Sequence, residues 1–478
     1  MKSKLVVIVR TSTSIQDIAE TPITVTSITI FCIFVKKSLT MKFYDREEEL
    51  NLLETTRERS TTGSKMIFVV GRRRIGKTSL VLKAFENQKS LYFFVARKSE
   101  ILLCYEYTDE IERVTGKKVI GEFTTFGRLF EYLLDYSHEN PITVIIDEFQ
   151  EFYQVNRSVY SDIQNLWDRY RAKSRMNLVL CGSVYSLMKK IFEDAKEPLF
   201  GRANEKISLK PFTIDIITRI CTDHSPDMKA SDLLAFYAIT GGIAKYTELF
   251  ADKECFTTEK MLNEIFRENS LLLEEGKNIL IEEFGRDYLT YFSILSLIAS
   301  SKTSRGEIES VLQKDIGGFL ERLEKDYYVI GTVRPVFSRP GQRALKYFIN
   351  DHFLAFWFRF IYKYRSAVEI GNLNYVKQIV KRDFPAYSGP YLEKLFREKL
   401  ALSGQFNRIG RYWNRKGDVE IDIIAVNDDQ KKALIGEVKI NPGKFSPDHL
   451  KYKSQTILPE LEGYTIEYKG FSVEGIRD

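Results

Sequence analysis

An apolar, β-favouring run, Met66-Ile-Phe-Val-Val70, leads directly into Gly71-Arg72-Arg73-Arg74-Ile75-Gly76-Lys77-Thr78-Ser79, and a helix-compatible segment continues through Leu82 and Phe85. The order is strand, glycine loop, helix. The spacing G-x-x-x-x-G-K-[ST] follows from the chemistry of phosphate binding. Glycines let backbone N–H groups face the β- and γ-phosphates of a nucleotide such as ATP, Lys77 adds a point charge, and Thr78 offers an oxygen to Mg²⁺. A chain carrying this element is expected to build an α/β domain on a parallel sheet.

Such a site needs a further carboxylate beside the metal. Pro141-Ile-Thr-Val-Ile-Ile146 is a continuous apolar run, the pattern of a strand buried on both faces of a parallel sheet, and Asp147 and Glu148 emerge at its C-terminal end, where such sheets bind ligands. Asp147 is the expected Mg²⁺ partner and Glu148 the residue that orients or deprotonates the attacking water. An acidic turn after a core strand is the alternative. Asn177-Leu-Val-Leu-Cys-Gly182-Ser183 is another buried strand, whose Ser183 stands where a γ-phosphate could be sensed or where the strand simply turns. Leu91 to Ala96 and Lys206 to Phe212 bring the expected strands to five.

At 478 residues the chain exceeds the prior of about 150 per domain, so several domains are expected. Hydrophobic residues make up 44% and charged residues 28%, which excludes a disordered or polytopic chain. The net charge of +6 is too dilute to indicate nucleic-acid binding without a local patch. Cys32, Cys104, Cys181, Cys221 and Cys255 lie far apart with no C-x-x-C pair, which disfavours a zinc knuckle or disulfide framework and fits a reducing, cytoplasmic location. The apolar stretch Ile23 to Val35, about 13 residues, is too short for a bilayer that needs ~20, so no membrane partner is expected. Met41 opens a segment that behaves as a natural domain start, and residues 1–40 read as an upstream extension.

Between Asp215 and Glu283 apolar residues fall at helical spacing, at Leu233, Leu234, Phe236 and Tyr237 and again at Met261, Ile265 and Leu271. A helical lid over 214–284 is expected. Tyr288 to Ala299, Glu307 to Gln313 and Phe319 to Asp326 read as helices, followed by β-like Val329 to Val333 and Leu345 to Ile349. Three helices and a hairpin describe a winged helix over 285–365. Its presumed recognition helix mixes Arg322 and Lys325 with Glu321, Glu324 and Asp326, whereas its wing carries Arg334, Arg339, Arg343 and Lys346, so DNA contact and protein docking both stand open. The aromatic run Phe353 to Tyr362 reads as a core helix. Further on, Val419 to Val426 and Lys432 to Lys439 form two strands around a short polar loop, and period-two geometry puts Glu437 and Lys439 on one face. A suitable register brings Asp422 alongside. Two carboxylates and a lysine suit phosphodiester hydrolysis, the carboxylates holding Mg²⁺ and the lysine steadying the nucleophile. Charged residues alternating on a solvated hairpin face are the alternative.

The Phe43-Tyr44-Asp45-Arg46-Glu47-Glu48-Glu49-Leu50 segment, the phosphate loop, Ile-Ile-Asp147-Glu148-Phe, Cys-Gly-Ser183, Leu-Phe-Gly-Arg202 and Thr240-Gly241-Gly242-Ile-Ala-Lys245-Tyr246 follow one order. In that order 43–250 resembles archaeal P-loop ATPases of the AAA-plus/STAND kind. Ala244 departs from the proline usual there. The resemblance implies an ATPase core over 41–213 and makes Arg202 a candidate finger completing a neighbour's site, hence self-association. The C-terminal region, 366–478, resembles the PD-(D/E)xK restriction-endonuclease-like domain of that family, with Asp422, Glu437 and Lys439 in the matching positions and Glu393 a weaker match to its helical acid. Together these imply an ATP- and Mg²⁺-dependent ATPase whose nucleotide state governs a DNA-binding or DNA-cleaving domain. The alternatives are a STAND-type switch with a non-cleaving nuclease-like domain and an ATP-dependent transcriptional regulator.

Overall fold

The computed structural model describes residues 42–284, 287–338, 345–414 and 417–477. Residues 1–40, Arg339, Arg343 and Arg415 lie outside the described residues. The chain divides into Met1–Phe43 and the compact unit Tyr44–Asp478. In the latter, β1 (Lys65–Val70), β2 (Ser90–Phe94), β3 (Ile142–Asp147), β4 (Met176–Gly182) and β5 (Glu205–Ser208) pair in the order β2-β3-β4-β1-β5. Every pairing is parallel. Each residue of β3 and β4 is buried, as expected of strands covered by helices on both faces.

Helix Phe126–Tyr136 shows how the cover is made: Phe126, Leu129, Phe130, Leu133 and Leu134 recur at helical spacing and are all buried. They pack with Phe93, Phe149, Phe152 and Trp167 in one core. β5 ends at Ser208, short of the expected Phe212. Leu209 N still donates to Val70 O at 2.8 Å, but Pro211 has no N–H to extend the ladder.

The segment after the sheet is helical, through Ile214–His224, Ala230–Thr240, Ala244–Asp252, Thr258–Ile265 and Glu275–Phe284. Ala230–Thr240 is buried on every side from Leu233 onward, which marks it as the central helix of this layer. Leu271, expected on the apolar face, is 82% exposed, because Leu271–Leu273 is a single 3₁₀ turn that points Leu272 inward instead. Helices Tyr288–Ala299, Arg305–Leu312 and Gly317–Glu321 follow, then an antiparallel hairpin of β6 (Ile330–Val333) and β7 (Lys346–Ile349). The aromatic run is core: Phe353, Phe356, Trp357, Phe358 and Phe360 are buried.

A helix of 30 residues, Leu373–Leu402, continues through Pro385 and Pro390 and packs against the last sheet. That sheet has the order β11-β10-β9-β8, from β8 (Arg408–Trp413), β9 (Glu420–Asn427), β10 (Lys432–Lys439) and β11 (Thr465–Ser472). Val336 and Phe337, from the connection between β6 and β7, pack on its core of Ile421, Ile424, Val426 and Ile435. Among the described residues no helix is long and apolar enough to cross a membrane.

Sheet and helical layer meet at Gly242, whose carbonyl accepts from Phe212 N at 2.8 Å. Its φ is +73°, and a Cβ there would stand 2.2 Å from Phe212 O. Gly201 shares the left-handed conformation, φ +68°, but has nothing within 4 Å. Gly201→Ala therefore costs only the backbone term of about 1–2 kcal/mol, whereas Gly242→Ala must also push the sheet end and helical layer apart. Thermal unfolding of the two variants should show the larger loss of midpoint for Gly242→Ala.

Candidate nucleotide site and C-terminal charge cluster

The phosphate loop sits between β1 and helix Lys77–Ala84, whose first residues present unpaired backbone N–H groups toward it. Left-handed φ values at Arg74 (72°) and Gly76 (95°) fold the loop into a concave backbone nest. Lys77 is buried, and its Nζ donates to Gly71 O at 2.8 Å and Arg72 O at 3.1 Å. Burial pushes its pKa down, against the pull of Glu148 and Asp147. Parallel pairing carries Asp147 to the same end of the sheet. Its Oδ2 accepts from Thr78 Oγ1 at 2.6 Å and from Tyr92 OH at 2.8 Å, and its Oδ1 from Glu148 N at 2.9 Å. Glu148 Oε2 accepts from Ser183 Oγ at 2.6 Å and Gln150 Nε2 at 2.5 Å.

An open cavity of about 360 Å³ is lined by Arg73, Arg74, Gly76, Lys77, Thr78, Ser79, Glu148 and Ser183 together with Ala244, Lys245 and Glu248. That volume, the amide nest and the buried ammonium fit a nucleotide's phosphates. The oxygens of Thr78 and Asp147, close enough to share a hydrogen bond, are the hard donors that Mg²⁺ takes. Among the described residues no group of three or more His, Cys, Asp or Glu side chains is arranged to hold a metal ion. A cation here would therefore draw on phosphate oxygens and water as well, the usual habit of Mg²⁺.

Arg202 does not line this cavity. Its guanidinium donates to Asp168 Oδ2 at 2.8 and 3.2 Å, Pro198 O at 2.7 Å and Phe200 O at 3.1 Å. Two of the loop arginines, Arg72 and Arg74, also reach later parts of the chain. Arg72 Nη1 donates to Tyr328 O at 3.2 Å, immediately before β6, and Arg74 pairs with the buried Glu275 of the helical layer. Lys245 N donates to Arg74 O at 3.1 Å, and its ammonium stands 3.7 Å from Glu275 Oε1. Burial and then Arg74 lower the Lys245 pKa to about 8. Tyr92, Gln150 and Lys245 carry no phosphate-loop signature. Only the position of Tyr92, two residues before a strand end, and of Lys245, just after a Gly-Gly pair, hinted at them.

In the C-terminal sheet, β9 and β10 pair antiparallel up to Gly436↔Ile423, and the next step brings Asp422 beside Glu437. Asp422 Oδ2 accepts from Val438 N at 2.8 Å, while Glu437 Oε1 receives Lys439 Nζ at 2.8 Å and Lys453 Nζ at 3.1 Å. Burial works to raise Glu437, but the two lysine hydrogen bonds outweigh it and hold the carboxyl below its ordinary value. Burial raises Asp422. Glu393, on the long helix, is pushed up to about 7, first by burial and then by Asp422, against Arg397 and Arg411. Arg397 bridges the two elements, donating to Asp422 O at 2.8 Å with Glu393 Oε2 at 3.5 Å. Asp422, Glu437, Lys439 and Glu393 thus meet at one place, and Lys453 joins them from helix Pro447–Ser454. Its approach was not legible in the sequence.

A parallel five-stranded α/β sheet with a phosphate loop at its C-terminal edge defines a P-loop ATPase domain. A family model described as an ATPase domain predominantly from Archaea matches residues 43–250, and one described as archaeal and bacterial proteins of unknown function matches 357–448. The chain belongs to the family of the uncharacterized protein MJECL04 of Methanocaldococcus jannaschii, to which it is 31% identical over 414 residues, covering 83% of this chain and 87% of the relative. It is also 35% identical over 83 residues to the uncharacterized protein MJ0424 of the same organism, covering 16% of this chain and 81% of that one. Among solved structures it is similar in fold to the Walker-type ATPase PABY2304 of Pyrococcus abyssi, with a TM-score of 0.51 and 20% identity over 66% of this chain and 96% of that one.

The raised pKa of Glu393 gives a pH test. The folded state holds the proton up to about 7, the unfolded chain only to its lower ordinary value, so stability is greatest below the unfolded pKa and falls as pH rises toward 7. The full loss above that pH is on the order of 3 kcal/mol. Glu393→Gln, neutral throughout, should flatten this decline when thermal midpoints are compared at mildly acidic and mildly alkaline pH. A decline of the same size in the variant would place its origin elsewhere.

Proposed function

We propose that the chain is an ATP-driven switch in which nucleotide bound at the phosphate loop sets the position of the modules after the sheet, and the C-terminal domain acts on DNA. The observation that carries this reading is the set of bonds made by the loop itself. Arg72 to Tyr328 O, Arg74 to Glu275 and Lys245 N to Arg74 O link the phosphate-binding backbone to the helical layer and to the hairpin. Movement of the loop on binding phosphate must be felt at all three.

In this reading the amides of Gly71 to Gly76 and the ammonium of Lys77 take the β- and γ-phosphates, whose oxygens replace the carbonyls of Gly71 and Arg72 as acceptors. Mg²⁺ bound with the nucleotide supplies charge neutralisation at the phosphate oxygens, and Thr78 and Asp147 would hold it. Glu148 orients the attacking water, its carboxylate already fixed by Ser183 and Gln150. Ser183, which lines the cavity and bonds that carboxylate, would sense the γ-phosphate. Arg202 would serve a neighbouring copy only after releasing Asp168.

For the output domain, Asp422, Glu437, Lys439 and Glu393 are a PD-(D/E)xK-like set, in which Asp422 and Glu437 would hold Mg²⁺ and Lys439 would steady the nucleophile. The helices and hairpin of 285–365 follow winged-helix order, and among their described residues three of the candidate DNA-facing cations are already engaged within the protein. Lys325 bonds Glu321 at 2.7 Å, Arg322 stands 3.9 Å from Asp287, and Lys346 reaches Glu420 at 3.3 Å while Val336 and Phe337 pack on the C-terminal sheet. That favours docking over reading DNA, and with it a switch over a transcriptional regulator. One observation supports a binding-only C-terminal domain: two lysines already neutralise Glu437.

Lys77→Ala should lose nucleotide binding in an equilibrium titration, whereas Glu148→Gln should bind ATP and slow its turnover by about 10²–10⁴-fold. Equal loss of binding in both would refute the division of roles. Incubation with supercoiled and linear DNA in Mg²⁺ or Mn²⁺, with and without ATP, tests the output. Cleavage that Asp422→Ala and Glu437→Ala each remove while ATP hydrolysis stays near normal supports a nuclease. Salt-sensitive binding with no cutting by the wild type supports the binding-only form.

A further inference from the structure

Tyr92 stands on β2, the edge strand of the nucleotide-binding sheet, and the register pairs Phe94 with Asp147 and Tyr92 with Ile145. Residues two apart on a strand share a face, so Tyr92 projects on the side to which Asp147 points. A diagonal neighbour on the next strand lies about 7–8 Å away, within reach of a long aromatic side chain. The phenol closes that gap, with its oxygen 2.8 Å from Asp147 Oδ2.

Asp147 Oδ2 therefore has two hydroxyl donors, Thr78 and Tyr92, and they are not equivalent. A hydroxyl that turns its lone pairs to a cation can no longer direct its proton along the same line to a carboxylate, so Thr78 weakens as a donor when it becomes a ligand. Tyr92 is under no such demand. Its phenol O–H, 2.8 Å from Asp147 Oδ2, can go on donating to the carboxylate. Among the described residues β2 is the edge of the sheet, with no further strand paired to it on this side.

We propose that Tyr92 is a positioning residue for ATP hydrolysis, holding the Asp147 carboxylate in the orientation that receives the nucleotide-bound Mg²⁺ after Thr78 has been drawn to the ion. The inference rests on the assignment of Asp147 to the metal side of the site. Removing a partner that orients a ligand typically weakens metal affinity by about 10–100-fold.

The test is an equilibrium titration of the full chain with a fluorescent ATP analogue, first in EDTA and then across a Mg²⁺ series, for wild type, Tyr92→Phe and Asp147→Asn. Tyr92→Phe keeps the ring and its packing. It should bind the analogue in EDTA as the wild type does, which also shows that the variant is folded, while its half-saturating Mg²⁺ rises about 10-fold or more. Superimposable Mg²⁺ curves for wild type and Tyr92→Phe, alongside a shifted curve for Asp147→Asn, would overturn the role of Tyr92 and leave the site assignment standing. An unshifted curve for Asp147→Asn would overturn the assignment itself. If Tyr92→Phe loses affinity equally with and without Mg²⁺, the tyrosine shapes the pocket and does not act through the carboxylate, and the proposal fails. Tyr92→Leu separates packing from donation: it should match Tyr92→Phe in its Mg²⁺ shift, whatever it loses in thermal midpoint.

Discussion

Parallel pairing of β1, β3 and β4 is the constraint on which the rest of the molecule depends. Because the three strands run the same way, their C-terminal ends share one edge, and the residues just beyond them, the phosphate loop, Asp147-Glu148 and Ser183, are brought together without any contact of their own. The bonds from Thr78 to Asp147 and from Ser183 to Glu148 then lock that edge. Burial of both sheet faces makes the arrangement rigid, since a slip of one residue would turn polar ends into the core.

The same edge is bonded to later parts of the chain because of what fills the loop between its glycines. Three consecutive arginines carry more charge than phosphate binding requires, and two of them reach partners beyond the sheet. Arg72 bonds the backbone before β6, and Arg74 meets a glutamate buried in the helical layer. Burying a charge is expensive unless it is paired, so Arg74 and Glu275 hold each other in place, and loosening one exposes the cost of the other. The close approach of Gly242 to Phe212 makes the seam between sheet and helices narrow and specific. These contacts tie the phosphate loop, the helical layer and the hairpin to one another.

The C-terminal sheet solves a different problem with similar means. Its hairpin register places two carboxylates side by side in a buried position, and lysines from β10 and from the helix after it supply the opposite charge. Carboxylates gathered out of water resist ionising together, which is why Glu393 and Asp422 are raised while Glu437, with two cations, is lowered.

Much of this was legible in the linear chain, and the reason is local. The glycine spacing from Gly71 to Gly76, the unbroken apolar runs of β3 and β4 and the alternation in β9 and β10 each lie within a few residues, where chain geometry dictates which way a side chain points. Hence the parallel α/β core, the loop and the place of Asp147 at a strand end could be read directly, whereas setting Asp422 beside Glu437 depended on the hairpin register. Where length and turn type intervened, as at Leu271 and at the end of β5, periodicity misled by a residue or a few. What only the tertiary structure decided are the partners far apart in sequence. Tyr92 reaches Asp147 across 55 positions and Arg72 reaches Tyr328 across 256. Arg202 is committed to Asp168, and Lys453 shares Glu437. No spacing rule encodes these contacts, because they depend on which surfaces the packed layers bring within hydrogen-bond distance.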